Sequence, residues 1–485
     1  MRRWTPIAIA CACLMLAAPA FAQDEPIEPA PTEGDEAAPR EVVDELAPEP
    51  VEEVDDLTAV DEPEELEELE ELEELGGLEE LGSGDEPSKW SADFITHART
   101  YSLYGASRAE VGDEVETTDL ALSIQRVRPT LGVGWGELVW FEAAYDLIPL
   151  VGASANVGSF AVQNIGSSAL RLVDIDPVLR SPDNGSWVLQ HNLDRLNVRL
   201  GRPGLEVQIG RQAFNHGSAR MFPSTDLFAP FGPGTIDTEF KRGIDGARLT
   251  FGLDENHELE VYVIAHEPDL VADLDAGAID LSEWMYLLRW RGIFPELFDL
   301  SLFAGMSYEQ PTFGADISTS IAGAAVYAES SARIALEDEQ DTSVQATLGV
   351  DYQWGFGLST IAEVYYSSLG SEAPFVDALT APSLPRQVGE LNYLGSWYAG
   401  LSASYAWELL SAGVGYIQNL QDGSMLLTGS LGYDFAPNVA VGGGALVPIG
   451  SLAKIDPASP LPFPEIESEF GLFPLLLFVD LRLAF

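Results

Sequence analysis

The side chains best placed to do chemistry are six arginines spaced for one face of successive strands. Arg195 and Arg199 alternate with Leu196, Val198 and Leu200, Arg242 and Arg248 flank Ile244, and Arg289 and Arg291 alternate with Leu288 and Trp290. Alternate residues of a strand point to opposite sides, so each guanidinium faces one side of a sheet and hydrocarbon faces the other. Between these segments lies 214–237, rich in glycine and proline, carrying Asp226 and Asp237. Fixed cations facing fixed carboxylates across water create a transverse field that sorts solutes by charge and dipole. That is electrostatic chemistry rather than bond-making chemistry. The same arginines could instead neutralise Glu206, Asp245, Glu258 and Glu260 within the sheet, and both readings stay open.

Groups suited to catalysis are scarce. The histidines are His97, His191, His216, His257 and His266, and only His216 has a suggestive neighbour, Ser218. Near-adjacent residues on one loop seldom form a catalytic pair. No zinc-protease helix motif, nucleophile elbow, phosphate loop or dinucleotide fingerprint occurs. No catalytic residue, metal site, cofactor or enzyme activity is expected. Both cysteines, Cys11 and Cys13, lie in the N-terminal apolar run. The chain beyond residue 22 therefore has no thiol to form a disulfide or hold a metal.

The positioning elements must be strands. No apolar run beyond residue 22 is long enough for a membrane-spanning helix, yet two-residue alternation persists to the end. In 472–485, Phe473, Leu475, Leu477, Val479, Leu481 and Leu483 form one face, with Asp480 and Arg482 on the other. In 343–354, Val344, Ala346, Leu348 and Val350 alternate with Gln345, Thr347, Gly349 and Asp351. Sixteen strands are predicted, beginning with 94–106 and 118–134 and ending with 472–485. Tight joints such as Arg202-Pro203-Gly204 and Pro437-Asn438 alternate with long connections at 150–188, 214–237, 310–341, 370–389 and 450–471. The stretches 158–172 and 318–330 could add strands and give eighteen. One face for hydrocarbon, one for water, and short turns opposite long loops describe an all-β transmembrane antiparallel β-barrel over 89–485.

Two segments precede it. Residues 1–22 have a basic start, a short apolar run and Ala20-Phe21-Ala22, the pattern of a cleaved signal peptide. Residues 23–88 hold 28 Asp or Glu against Arg40 alone, a net charge of −27 out of −54 for the whole chain. Such a segment cannot bury enough apolar surface to fold. Leu66, Leu69, Leu72, Leu75, Leu78 and Leu81 recur every third residue, a step that smears them around a helix instead of building a seam. A disordered acidic periplasmic tether is expected, and the charge excludes nucleic acid as a partner.

Two patterns carry a resemblance. The terminal Phe485 with Leu483 and Leu481 is similar to the C-terminal assembly signal of bacterial outer-membrane proteins. Gly210-Arg211-Gln212, Pro223-Ser224-Thr225-Asp226 and Arg242-Gly243-Ile244-Asp245 with Arg248 resemble a hairpin of outer-membrane porin-like barrels, with His216-Gly217 where that pattern has Trp-Gly. The resemblance implies an outer-membrane channel for passive diffusion of small hydrophilic solutes or ions. It also implies a third outward loop, 214–237, folded into the lumen. The pore-lining set would be Arg195, Arg199, Arg211, Asp226, Asp237, Arg242, Arg248, Arg289 and Arg291. Implied partners are outer-membrane lipid and lipopolysaccharide, the barrel-assembly machinery and small solutes, with a homotrimer left open. The competing reading is a non-conducting structural or adhesive barrel whose loops fill the lumen.

Overall fold

The computed structural model describes residues 90–136, 138–152, 170–172, 178–180, 187–228, 230–265, 281, 284–337, 340–375, 386, 389–455 and 464–485. The expected signal peptide and acidic tether, and most of 158–172, lie outside the described residues. The strands are β1 (Trp90–Val111), β2 (Glu114–Trp135), β3 (Val139–Gly152), β4 (Val178–Arg180), β5 (Trp187–Arg202), β6 (Leu205–Gln212), β7 (Ile244–Gly252), β8 (His257–Ile264), β9 (Met285–Phe294) and β10 (Phe298–Ser307). They continue as β11 (Gln310–Ile321), β12 (Ala324–Arg333), β13 (Ser343–Gln353), β14 (Leu358–Ser367), β15 (Trp397–Trp407), β16 (Leu410–Asn419), β17 (Met425–Ala436), β18 (Val439–Ile449), β19 (Ala453–Ile455) and β20 (Leu475–Ala484).

Each long strand pairs antiparallel with the next, and β20 pairs with both β18 and β1, so the sheet closes on itself. Two three-residue strands are additions: β4 pairs on β5, and β19 lies parallel to the end of β1. The wall therefore has eighteen strands among the described residues, not sixteen. Closure pairs every edge, as a hydrocarbon solvent demands.

The two extra strands are β11 and β12, both inside 310–341, which the sequence reading made a long loop with one possible added strand at 318–330. They form a hairpin around Ala322-Gly323, both at positive φ. Their alternation is faint because the outward face of β12 is Ala324, Val326, Ala328, Ser330 and Ala332. A second difference is at the first hairpin. β1 and β2 run on through the expected 107–117 gap to a tight turn at Gly112-Asp113.

The C-terminal strand behaves as its pattern requires. Leu477, Val479 and Leu481 are exposed on the outer face, while Asp480 is buried on the inner one. Phe485 exchanges two backbone hydrogen bonds with Thr96 at the seam. Aromatic pairs ring the outer face at the short-turn end: Trp90 with Trp135, Phe294 with Phe298, Trp354 with Phe356, and Tyr433 with Phe435. Such rings are at home where hydrocarbon meets headgroups.

Candidate functional site

The connection from β6 to β7, residues 213–243, folds into the lumen. Four of its apolar side chains are fully sheltered: Phe214, Phe222, Leu227 and Phe228 are each at most 3% exposed. Phe222 stacks on Tyr365 of β14, with ring centroids 5.5 Å apart. Phe214 and Phe228 pack against Tyr262 of β8. Left outside, these rings would have formed an exposed apolar patch.

Three carboxylates from β11, β12 and β14 hold the far side of the loop. Glu363 accepts the backbone N–H groups of Arg220, Met221 and Phe222 at 2.6, 3.0 and 2.9 Å, and the Tyr327 hydroxyl at 2.7 Å. Glu329 accepts from Thr225 through both backbone and side chain, and from the Ala219 N–H. Asp316 accepts from the Ser218 N–H and hydroxyl at 2.8 and 2.9 Å. Gly217 sits at φ +94°, where a Cβ would lie 2.6 Å from both Glu329 Oε2 and Thr225 Oγ1. Only glycine allows that approach.

The returning limb meets a basic wall. Asp237 pairs with Arg99 of β1 at 3.1 Å and Arg126 of β2 at 2.9 Å. Glu239 lies 3.4 Å from Arg99 and 3.5 Å from His97. Phe240 packs against Arg126 and Arg128, with guanidinium carbons 5.0 and 4.2 Å from its ring centre. Behind them Asp146 of β3 and Asp194 of β5 pair with Arg126 and Arg128, and Asp480 of β20 pairs with Arg99. Enclosure in the barrel pushes the Asp237 carboxyl up, but Arg126 and Arg99 more than reverse this and hold it below the usual carboxylate range. Arg99, Arg126, Asp237 and Glu239 keep 10, 13, 22 and 32% of their side-chain surface accessible, so this belt of charge is in touch with water.

The expected pore-lining residues divide into four groups. Asp237 faces wall arginines, but these are Arg99 and Arg126 and not the expected Arg195, Arg199 and Arg242; Arg195 is buried nearby, bonded to Asp194 and to the Lys241 carbonyl. Arg242 is solvent-accessible, within electrostatic reach of Arg171, Asp194 and Arg126. Asp226 does not face the wall arginines: it is bonded to Lys241 of its own loop. Arg199, Arg248, Arg289 and Arg291 pair with Glu206, Glu206, Glu260 and Glu258 of neighbouring strands, which is the neutralising role. Arg211 is on the outer side of the wall. It shares the outward phase of Ile209 and bonds Asp245 at 2.8 Å through two nitrogens. Gly210, at φ +119°, lets the backbone of β6 pass within reach of the Leu196 carbonyl beside it.

His216 and Ser218 do not form a pair. His216 packs edge-on between Phe228 and Tyr262, and Ser218 bonds Asp316. Burial first, then Arg289, Lys241 and Arg248, depress the His216 ring far below its ordinary value.

Residues the sequence reading missed are Arg99, Arg126 and Arg128 on one wall and Asp316, Glu329 and Glu363 on the other. Arg126 and Arg128 alternate with Val127 inside a stretch already read as a strand, so their signal was present. The three carboxylates stand singly on their strands and give no such signal.

No family model and no curated protein matches the chain. Among solved structures, it is similar to Acinetobacter baumannii OccAB4, with 10% identity over 82% of this chain and 100% of that one and a TM-score of 0.46. It is similar to the outer membrane protein opdK from Pseudomonas aeruginosa, with 10% identity over 81% and 98% and a TM-score of 0.44. It is also similar to a BenF-like porin from Pseudomonas fluorescens Pf-5, with 10% identity over 81% and 99% and a TM-score of 0.45.

Proposed function

We propose that this protein is an outer-membrane channel for passive diffusion of small hydrophilic solutes or ions, with loop 213–243 and the arginines of β1 and β2 as its filter. One observation carries the reading. The loop narrows an eighteen-stranded barrel, yet the charges where it meets β1 and β2 stay accessible to water. A barrel of this size is wide enough for an aqueous channel. On the termini side of the loop, the wall of β15 to β18 turns small residues inward, among them Ser402, Ser404, Ser411, Gly413, Ser430 and Gly442. Fixed charges on one side and small polar residues on the other leave a passage that screens by charge and size.

A second reading has an observation of its own. At the loop end of the lumen, Phe375, Leu391, Leu394, Phe470 and Phe473 form one buried cluster with Phe222. Loops so packed suit a structural or adhesive barrel. Conductance of the purified protein across a planar bilayer separates the two. Steady ohmic steps support the channel, and silence at high protein load supports the filled barrel.

A further inference from the structure

Arg211 and Gly243, two residues of the hairpin motif, converge on one irregularity in β5. Against β3, Leu193 pairs with Tyr145 and Arg195 with Ala144, so Asp194 is an extra residue. This bulge flips the phase of the strand. Of two even-numbered valines, Val188 is buried in the inner cluster and Val198 is 38% exposed on the outer face. Asp194 and Arg195 therefore both turn toward the lumen. Re-aiming a side chain is what a bulge does beside a functional site. Two backbone carbonyls at the bulge accept from guanidinium groups. That of Leu193 takes Arg211 Nη1 at 2.9 Å, and that of Asp194 takes Arg195 Nη1 at 3.0 Å.

The re-aimed carboxylate is a buried hub. One oxygen accepts the Gly243 N–H at 2.9 Å and lies 3.5 Å from Arg171. The other meets Arg128 of β2 at 2.8 Å and Arg195. Gly243 ends the returning limb of loop 213–243, the limb that carries Asp237 and Glu239. A Cβ at Gly243 would lie 1.9 Å from the Asp194 carbonyl oxygen, an approach that only glycine allows. The Gly243 carbonyl accepts from Arg171 at 2.8 Å. Three residues earlier, Phe240 packs on the Arg128 guanidinium at 4.2 Å. One carboxylate thus ties the limb to β2 and β5. Hydrogen bonds between ionised groups and fixed donors are the strong ones, so the tie is a firm one.

We propose that Asp194 is the positioning residue of the filter. It registers the returning limb through the Gly243 N–H and holds Arg128 against Phe240, so that Asp237 meets Arg99 and Arg126. The motif then has a reason: Gly243 permits the contact, and Arg211 braces the bulge that supplies it. The proposal rests on the channel reading, and a test that needs no current separates the two.

Glu239→Cys places the only thiol beyond residue 22 in the filter. The purified barrel in detergent is treated with a cationic or an anionic methanethiosulfonate, and mass spectrometry follows the two rates. Their sum reads access to the limb, and their ratio reads the local field. Asp194→Asn in this background keeps the shape and removes one negative charge beside Arg128 and Arg195. The anionic-to-cationic ratio should rise about threefold, the effect of one charge at roughly a Debye length. Adding Arg128→Gln should return the ratio to its starting value, a rescue that mere damage to the fold would not give. Gly243→Ala changes no charge but forces the limb off Asp194. It should raise both rates about threefold, as a side chain now 32% accessible comes free. Heat-modifiable migration confirms folding, and Gly243→Ala decides alone where Asp194→Asn does not fold. An unchanged ratio in Asp194→Asn overturns the proposal, as do unchanged rates in Gly243→Ala. A ratio that Arg128→Gln fails to restore overturns the hold on Arg128. In planar bilayers Asp194→Asn should move the reversal potential toward anions. A wild type silent there refutes the channel reading, and the thiol rates still decide where the limb is held.

Discussion

Loop 213–243 is held from two opposite walls, and the walls use charge in opposite ways. On β11, β12 and β14, Asp316, Glu329 and Glu363 accept hydrogen bonds from fixed backbone donors, and Glu329 and Glu363 are each 3% exposed. Their charge is spent on the loop. On β1 and β2, arginines meet loop carboxylates that stay partly in water. Charge hydrogen-bonded out of water acts as a rivet, whereas charge left in water still projects a field onto whatever passes. Position alone would not separate an anchor from a filter. Where the hydrogen bonds end separates them.

The largest effect should come from breaking the rivets. Glu329→Ala with Glu363→Ala leaves the N–H groups of Ala219, Arg220, Met221, Phe222 and Thr225 without acceptors. Each buried orphan costs about 1–3 kcal/mol, more than the contacts of one loop can absorb. The loop should leave the wall, and single-channel conductance should rise with more open-state noise. Unchanged conductance in a folded double variant would mean that the aromatic packing of Phe222 and Phe228 holds the loop unaided.

The filter side should alter selectivity more than size. Arg126→Ala leaves Asp237 one cation short and should move the reversal potential in a salt gradient toward cations. Asp237→Asn leaves Arg99 with Asp480 and Glu239 and Arg126 with Asp146, one carboxylate fewer in the belt, and should move it toward anions. Both shifts should shrink in 1 M salt, where the screening length falls to about 3 Å. Shifts of the same sign would show that the ions travel elsewhere.

The barrel was legible in the sequence because hydrocarbon outside and water inside impose a two-residue period that survives any choice of loops. At β11 and β12 it gave only a possible strand, 318–330, because Ala and Ser on the outward face of β12 erase the contrast that the period depends on. The inward loop was legible through its phenylalanines, which had to be covered by something. The partners of its charges were not. Asp226 and Asp237 lie on one loop and differ only in what lies opposite, Lys241 of that loop for one and Arg99 with Arg126 for the other. Arg211 shows the same limit. Its phase in β6 does point outward, but the motif around it drew the eye to the lumen.

Glu469 tests whether a rivet can be loosened by pH. It lies in the loop before β20 and accepts from Tyr398, Asn419 and the Leu394 N–H. Burial raises its carboxyl to about 7, although those hydrogen bonds pull the other way. Below its ordinary value of 4.5 the group is protonated in the docked and the free loop alike. Between there and about 7 only the docked loop keeps the proton, so docking weakens as pH rises through this window. Hydrogen exchange of 464–474 should be slower at pH 5 than at pH 8, after correction for intrinsic rates. Glu469→Gln should flatten the difference. A pH dependence that survives in Glu469→Gln would place the titration on another group.

The smallest effect should come from the arginines that first drew attention. Arg199 and Arg291 keep 47 and 49% of their side-chain surface in water, and their partners, Glu206 at 4.0 Å and Glu258 at 3.2 Å, keep about a third. Exposed pairs of this kind contribute little to stability, and both lie toward the short turns, where none of the described residues forms a loop that narrows the lumen. Water and salt screen them from a solute further off than the Debye length of about 8 Å at physiological ionic strength. Arg199→Ala with Arg291→Ala should therefore leave the thermal unfolding of the barrel unchanged and shift the reversal potential less than Arg126→Ala alone. If the double variant shifted it as much, the distinction between belt and wall would fail. The field acting on the solute would then be the sum of all lumen charge, with no privileged place where loop 213–243 meets β1 and β2.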